Sequence, residues 1–177
     1  MLQAGQTLTQ LQTTSARTGK LDWIGVRPSP RGEMMSLQQV LLITNRGIEG
    51  DHRAQRPGGK RQVTLIQAEH LPVIASLAGR TVICPEELRR NLVVCCINLA
   101  SLNNQRFTVG AALLEGTGYC HPCSRMEENL GTGGYNAVRG HGGITARVVR
   151  GGLIRPGDEV ILSVAPDNPA PFPVEIG

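Results

Sequence analysis

A chain of 177 residues, 40% of them hydrophobic, is long enough for one domain with a sizeable core and too apolar for disorder. Aromatic residues make only 3%, which argues against stacking on single-stranded nucleic acid, and the net charge of +4 is spread along the chain rather than gathered in one run. No basic, apolar leader and no apolar run near the roughly 20 residues of a membrane span are present. The five cysteines, an odd number, therefore suit a reduced, cytoplasmic setting better than a disulfide framework.

Residues 1–19 are rich in Gln, Thr and Ser, with Leu2, Leu8 and Leu11 able to support a short helix or a docked arm. From Lys20 the pattern changes. Residues 21–26 read as a strand ending in a loop punctuated by Pro28, Pro30 and Gly32, and 40–44 read as a second strand. A long polar loop framed by Gly47, Gly50 and Pro57-Gly58-Gly59 carries Asp51, His52 and Arg53. Residues 62–66 form the next strand. In 67–77 the recurrence of Leu71, Ile74, Ala75 and Ala78 predicts a helix, with Pro72 in its first turns and Gly79 at its C-terminal cap.

A turn over 85–90 leads into a long, apolar strand over 91–99, and short strands follow over 106–109 and 111–115, split by Gly110. Residues 124–130 suit a two-turn helix, and 143–150 and 159–164 read as strands around the turn 155–158. The tail from Ala165 is proline-rich and suits an extended edge or linker. Many short strands with few helices and no β-α-β rhythm predict a mainly β fold, a β-barrel with a few short helices attached, as one domain over 20–164.

Three constellations could carry chemistry. Cys120-His121-Pro122-Cys123 places two thiols three residues apart, with an imidazole between them and Arg125 just beyond, inside glycine-flanked loops. Its alternatives are a buried structural pair, a thioredoxin-like redox pair, a zinc site completed by His121 and His141, or a single thiolate on a softer metal. Arg89-Arg90-Asn91 offers guanidinium forks and an amide suited to a phosphate, or a solvated strand end paired with Glu86 or Glu87. The loop of Asp51, His52 and Arg53, with Arg61 following, suits a pterin or phosphate, or is an ordinary polar loop. Gly140 and Gly142, with Gly143 after them, leave His141 accessible or make it a turn residue; His70 reads as a surface or packing histidine, and Cys84, Cys95 and Cys96 read as core residues.

Taken in order, Gly47-Ile48-Glu49-Gly50-Asp51-His52, Arg61-Gln62-Val63-Thr64-Leu65-Ile66, Arg89-Arg90-Asn91-Leu92-Val93-Val94, Phe107-Thr108-Val109-Gly110, Cys120-His121-Pro122-Cys123, Gly142-Gly143-Ile144 and Gly157-Asp158 closely resemble the MOSC family, named for the C-terminal domain of molybdenum cofactor sulfurases. The resemblance covers about residues 20–164 and is to the stand-alone, single-domain bacterial type. It implies a MOSC-type β-barrel and a link to the molybdenum cofactor, molybdopterin. It also implies that Cys123 either ligates molybdenum or carries sulfur as a persulfide.

The activity so implied is reduction of N-hydroxylated compounds of the hydroxylaminopurine or amidoxime class, with electrons from a flavin or iron–sulfur partner protein. The pterin phosphate is expected against Arg90, with Asn91 beside it. Asp51, His52, Arg61, Arg89, Cys120, Gly142 and Gly143 complete the expected cofactor site. Cys123, His121 and Arg125 are the expected catalytic residues, with His141 a further candidate for proton relay. The alternatives are a sulfur carrier loaded by a cysteine desulfurase and a non-catalytic cofactor-binding module. No lysine stands in a convincing place for pyridoxal phosphate. Where the family pattern has glycine before Ile97-Asn98-Leu99 this chain has Cys96, so a side chain is expected at a point of close packing near Asn91.

Overall fold

The computed structural model describes residues 7–163. Their strands are β1 (Gly19–Val26), β2 (Met35–Ser36), β3 (Val40–Ile43), β4 (Gly47–Ile48), β5 (Val63–Gln67), β6 (Leu92–Cys95), β7 (Arg106–Val109), β8 (Ala112–Tyr119), β9 (Ile144–Arg150), β10 (Gly152–Ile154) and β11 (Glu159–Leu162). The helices are α1 (Leu8–Gln12), α2 (His70–Leu77), α3 (Pro85–Leu88), α4 (Ser124–Leu130) and α5 (Gly134–Val138).

Seven strands close a barrel in the order β11, β7, β8, β9, β5, β6, β1, with β1 pairing back to β11. Every pair in that ring is antiparallel except β5 with β6. β3, β4 and β10 form a separate three-stranded sheet. Side chains alternate across each strand. On β6, Leu92 and Val94 enter the barrel core with Leu65, Ile144 and Phe107, whereas Val93 and its β5 neighbour Ile66 face outward. That outer pair is covered by Ile74, Leu88, Met126 and Val138, contributed by α2, α3, α4 and α5. α2, α3, α4 and α5 each bury their few apolar residues on the barrel wall, which is what holds them, since none is long enough to be stable alone. Among the described residues no helix is long and apolar enough to cross a membrane.

α2 ends in a Schellman arrangement: Gly79 at φ +66° donates to Ser76 O and Arg80 N donates to Ala75 O, as its sequence predicts. The strand expected over 91–99 stops at Cys95. Cys96 turns into the left-handed region at φ +67°, and a 3-10 turn, Leu99–Leu102, follows. β8 runs on to Tyr119 through register shifts at Leu113/Leu114 and Gly116/Gly118. β4 and β10 are too short to leave a periodic signal. α5 lies in a glycine-rich stretch, and its first turn is held from outside by the Glu127 carboxylate, which accepts from Gly133 N and Tyr135 N.

The cysteines expected in the core are not there: Cys84 is exposed, and Cys95 and Cys96 are half-buried. Nor does the Cys96 side chain crowd Asn91, because the two lie at opposite ends of β6. α1 forms, but Leu8 and Leu11 are exposed, so its leucines do not dock it. Leu2 and the proline-rich tail lie outside the described residues.

Candidate functional site

The barrel register explains why distant segments meet. Ile24, Leu92, Leu65, Ile144 and Tyr119 are successive partners across β1, β6, β5, β9 and β8. Backbone bonds just beyond this row, Gly25 N to Asn91 O, Asn91 N to Thr64 O and Cys120 N to Gly143 O, pin the chain where it enters or leaves these strands. Above them opens a cleft of about 120 Å³, lined by Arg27, Asp51, Arg53, Arg61, Arg89, Arg90, Asn91, Cys120, His121, Cys123 and Arg125, together with Met34, Thr64 and Met126.

Asn91 and Asp51 hold this floor together. The Asn91 Oδ1 accepts from Thr64 N at 3.1 Å and Thr64 Oγ1 at 2.8 Å; its Nδ2 donates to Gly25 O at 3.2 Å and Asp51 Oδ2 at 3.0 Å. All four hydrogen-bonding positions of that amide are thus taken by protein. Asp51 Oδ2 also accepts from Arg27 N, and Oδ1 from Arg53 N. His52 Nδ1 lies 3.1 Å from both Arg27 O and Asp51 Oδ1, and His52 Nε2 lies 3.4 Å from Arg27 Nη2. With the proton on Nδ1, the ring donates to the carbonyl and accepts from the guanidinium. His52 thus fixes Arg27 from behind and is not itself in the cleft lining.

Arg90 is almost wholly buried. Its Nε donates to Gly142 O at 2.8 Å, Nη1 to Leu88 O at 2.7 Å and Nη2 to Cys120 O at 3.4 Å. It therefore ties the Cys120 loop to the start of β6 and keeps two further N–H donors. Burial lowers its pKa, opposed first by Cys120 and then by Cys123. Gly142 and Gly143 shape the site by their lack of side chains. A Cβ on Gly142 would stand 2.1 Å from Cys120 O, and one on Gly143, at φ +81°, 1.9 Å from Leu65 O.

Arg89 and Arg90 both precede β6, so the alternation of side chains along a strand does not separate them. Arg89 takes left-handed φ +57° at the end of α3, and both side chains reach the cleft. Arg89 Nη2 donates to Pro30 O.

Six arginines and one carboxylate line the cleft. Among the described residues the side chains of Arg53 and Arg61 have no ion-pair or hydrogen-bond partner, and only Arg125 is paired, with Glu128. Arg27 is 8% exposed, and its buried Nε has no hydrogen-bond partner. Burial lowers its pKa, and the nearby Arg89 adds to that; Asp51 works the other way. Buried positive charge whose one neighbouring carboxylate among the described residues, Asp51, is already engaged is costly without an anion in the cleft. The sequence singled out Arg53, Arg61, Arg89, Arg90 and Arg125, but not Arg27, Met34 or Thr64. Arg27 is simply the residue after a strand, and no local pattern marks it.

Cys123 precedes α4 with its side chain exposed, lining the cleft and without a capping bond; Cys120 is buried. His121 is exposed on the rim. His141 is half-buried and outside the cleft lining, edge-on to His70 with ring centroids 5.1 Å apart. Among the described residues no three His, Cys, Asp or Glu side chains gather to hold a metal ion.

A family model described as "MOSC domain" matches residues 49–161. Among solved structures, YuaD protein from Bacillus subtilis superposes with a TM-score of 0.69 at 22% identity, over 81% of this chain and 94% of that one. YiiM from Geobacillus stearothermophilus gives 0.67 at 16% identity, over 82% and 75%. YiiM from Escherichia coli gives 0.63 at 16% identity, over 84% and 72%. No curated protein matches the chain.

Proposed function

Because this chain belongs to the MOSC domain family, we propose that it is a molybdenum-cofactor-binding oxidoreductase that reduces N-hydroxylated compounds, with the Cys123 thiolate as the protein's ligand to the metal. The observation that supports this reading best is the pairing of an exposed, uncapped Cys123 with a cleft of six arginines and one engaged carboxylate. A pterin dithiolene bearing a phosphate needs one thiolate and an anion grip, and the residues present fit both needs. At about 120 Å³ the cleft is smaller than the roughly 300–1,000 Å³ of enclosed ligand sites, so the group would be held partly in the open.

Arg53, Arg61 and Arg27 have the free donors to fork onto the phosphate. Arg90 adds its two remaining N–H groups and keeps the Cys120–Cys123 loop in place, while Asn91 acts indirectly, by orienting Asp51 and Thr64. When bound, the cofactor supplies two-electron oxygen-atom chemistry. The overall change, R–NHOH + 2 e⁻ + 2 H⁺ → R–NH₂ + H₂O, needs two protons delivered at the substrate. In this reading His121, on the rim, hands one to the departing hydroxyl, and Arg125 holds an anionic or polar substrate group; both line the cleft. The electrons come from a flavin or iron–sulfur partner protein.

Elemental analysis and pterin quantification of protein from a cofactor-producing host test the proposal. Wild type is expected to carry near-stoichiometric molybdenum and pterin, Cys123→Ser to lose the molybdenum and all turnover, and Cys120→Ser to lose less. Wild type lacking both, from a host with confirmed cofactor supply, would overturn the reading in favour of sulfur carriage as a Cys123 persulfide.

A further inference from the structure

At the end of β6 away from the cleft lies a second pair of thiols. We propose that Cys95 and Cys96 form a vicinal-dithiol site that captures trivalent arsenicals, thiophiles with a pyramidal centre bonded to two sulfurs. In an extended strand consecutive side chains point to opposite faces. Here Cys96 turns to φ +67°, and the two sulfurs come to 3.5 Å, Cys96 Sγ–H donating to Cys95 Sγ. Cys95 Sγ–H in turn donates to Asp22 Oδ1 at 3.2 Å, and Cys96 N–H to Glu69 Oε1 at 2.7 Å, so the turn is held from both sides. Both cysteines are half-buried, within reach of solvent.

The spacing selects the ligand. With sulfur bonds of about 2.3 Å, as in metal thiolates, sulfurs this far apart subtend an angle near 100° at the bound atom, which suits a pyramidal centre and not a linear one. A disulfide between the two is disfavoured. Adjacent Cα atoms stand about 3.8 Å apart, below the roughly 4.4–6.8 Å that unstrained disulfides span. Burial, with the bond to Asp22 next, also pushes the Cys95 thiol up to about 12, which makes the Cys95 thiolate scarce. Both points weigh toward the dithiol form.

Capture is a condensation with no change of oxidation state: R–As=O + 2 R′SH → R–As(SR′)₂ + H₂O. Two S–H bonds and the arsenic–oxygen bond break, two As–S bonds form, and Asp22 is placed to take the Cys95 proton on its way to the leaving water.

Phenylarsine oxide and intact-mass spectrometry test this, in the Cys120→Ser/Cys123→Ser background so that the other thiol pair is silent. One adduct per chain is expected, surviving excess glutathione and released by dithiothreitol; exposed Cys84 alone gives only an adduct that glutathione displaces. Adding Cys96→Gly removes one sulfur while supplying the residue that the left-handed backbone favours. That variant is expected to melt no lower than its parent and to lose the glutathione-resistant adduct. A resistant adduct that persists in the Cys96→Gly chain, or none in its parent, would overturn the proposal.

Discussion

Asn91 shows how one side chain can be essential to a site without facing a ligand. Its amide joins β5, β1 and the Asp51 loop through four hydrogen bonds. Asn91→Leu would keep the branched shape but not the amide, leaving the Thr64 N–H and Gly25 O without that partner in a buried setting and taking from Asp51 Oδ2 one of its two donors. Leaving such groups unpaired is expected to cost about 3 kcal/mol or more, read as a lowered denaturant midpoint. A variant that unfolds within about 1 kcal/mol of wild type would show that water repairs the network. The Arg-Arg-Asn triplet was legible in the chain as a candidate site, but the division of labour within it was not. Whether an amide is spent on protein or left for a ligand depends on residues 27, 40 and 66 positions away.

At the scale of elements, glycines separate conformational need from close approach. Gly79 ends α2 at φ +66° with open space where a Cβ would go. Gly79→Ala should therefore cost only the left-handed penalty, about 1 kcal/mol. Gly143, at the turn into β9, combines φ +81° with a Cβ position 1.9 Å from Leu65 O, and Gly143→Ala would force β9 from β5. The loss is expected to exceed that of Gly79→Ala by at least about 2 kcal/mol, measured as paired thermal melts. Equal losses would mean that the β5–β9 seam yields freely. The α2 cap was readable because it is local, whereas the Gly143 contact joins residues whose proximity only the barrel creates. For the same reason the strand over 91–99 was read too long: the left-handed turn at Cys96 is carried by a residue type that rarely makes one.

For the whole molecule, the seam between the helical layer and the barrel carries a pH dependence. His70 on α2 meets His141, just before β9, edge to edge. Burial first, then the neighbouring His141, lowers the His70 pKa below its ordinary 6.5; a hydrogen bond with the His141 backbone, and after it the charge of Glu69, oppose the shift. A depressed histidine means that the unfolded chain binds the proton more readily, so stability present above pH 6.5 is lost as pH falls through that value and levels off below the folded-state pKa. The melting temperature is expected to drop between pH 7 and about pH 5, and the drop to shrink in His70→Gln. An unchanged slope in that variant would assign the acid sensitivity to other groups.

The sequence alone determined the class of fold and the candidate chemistry, because strand period, turn residues and the Cys120–Cys123 motif are local patterns written in adjacent positions. It also placed α4 at its observed bounds and α2 to within its first turn. Only the tertiary structure decided that charge spread thinly along the chain converges as six arginines around Cys123, that Arg27 is among them, and that Asn91 is bonded into the floor. The physical reason is closure of the barrel. Its register brings together the ends of β1, β5, β6 and β8, which lie far apart in the chain, and no window of neighbouring residues contains that information.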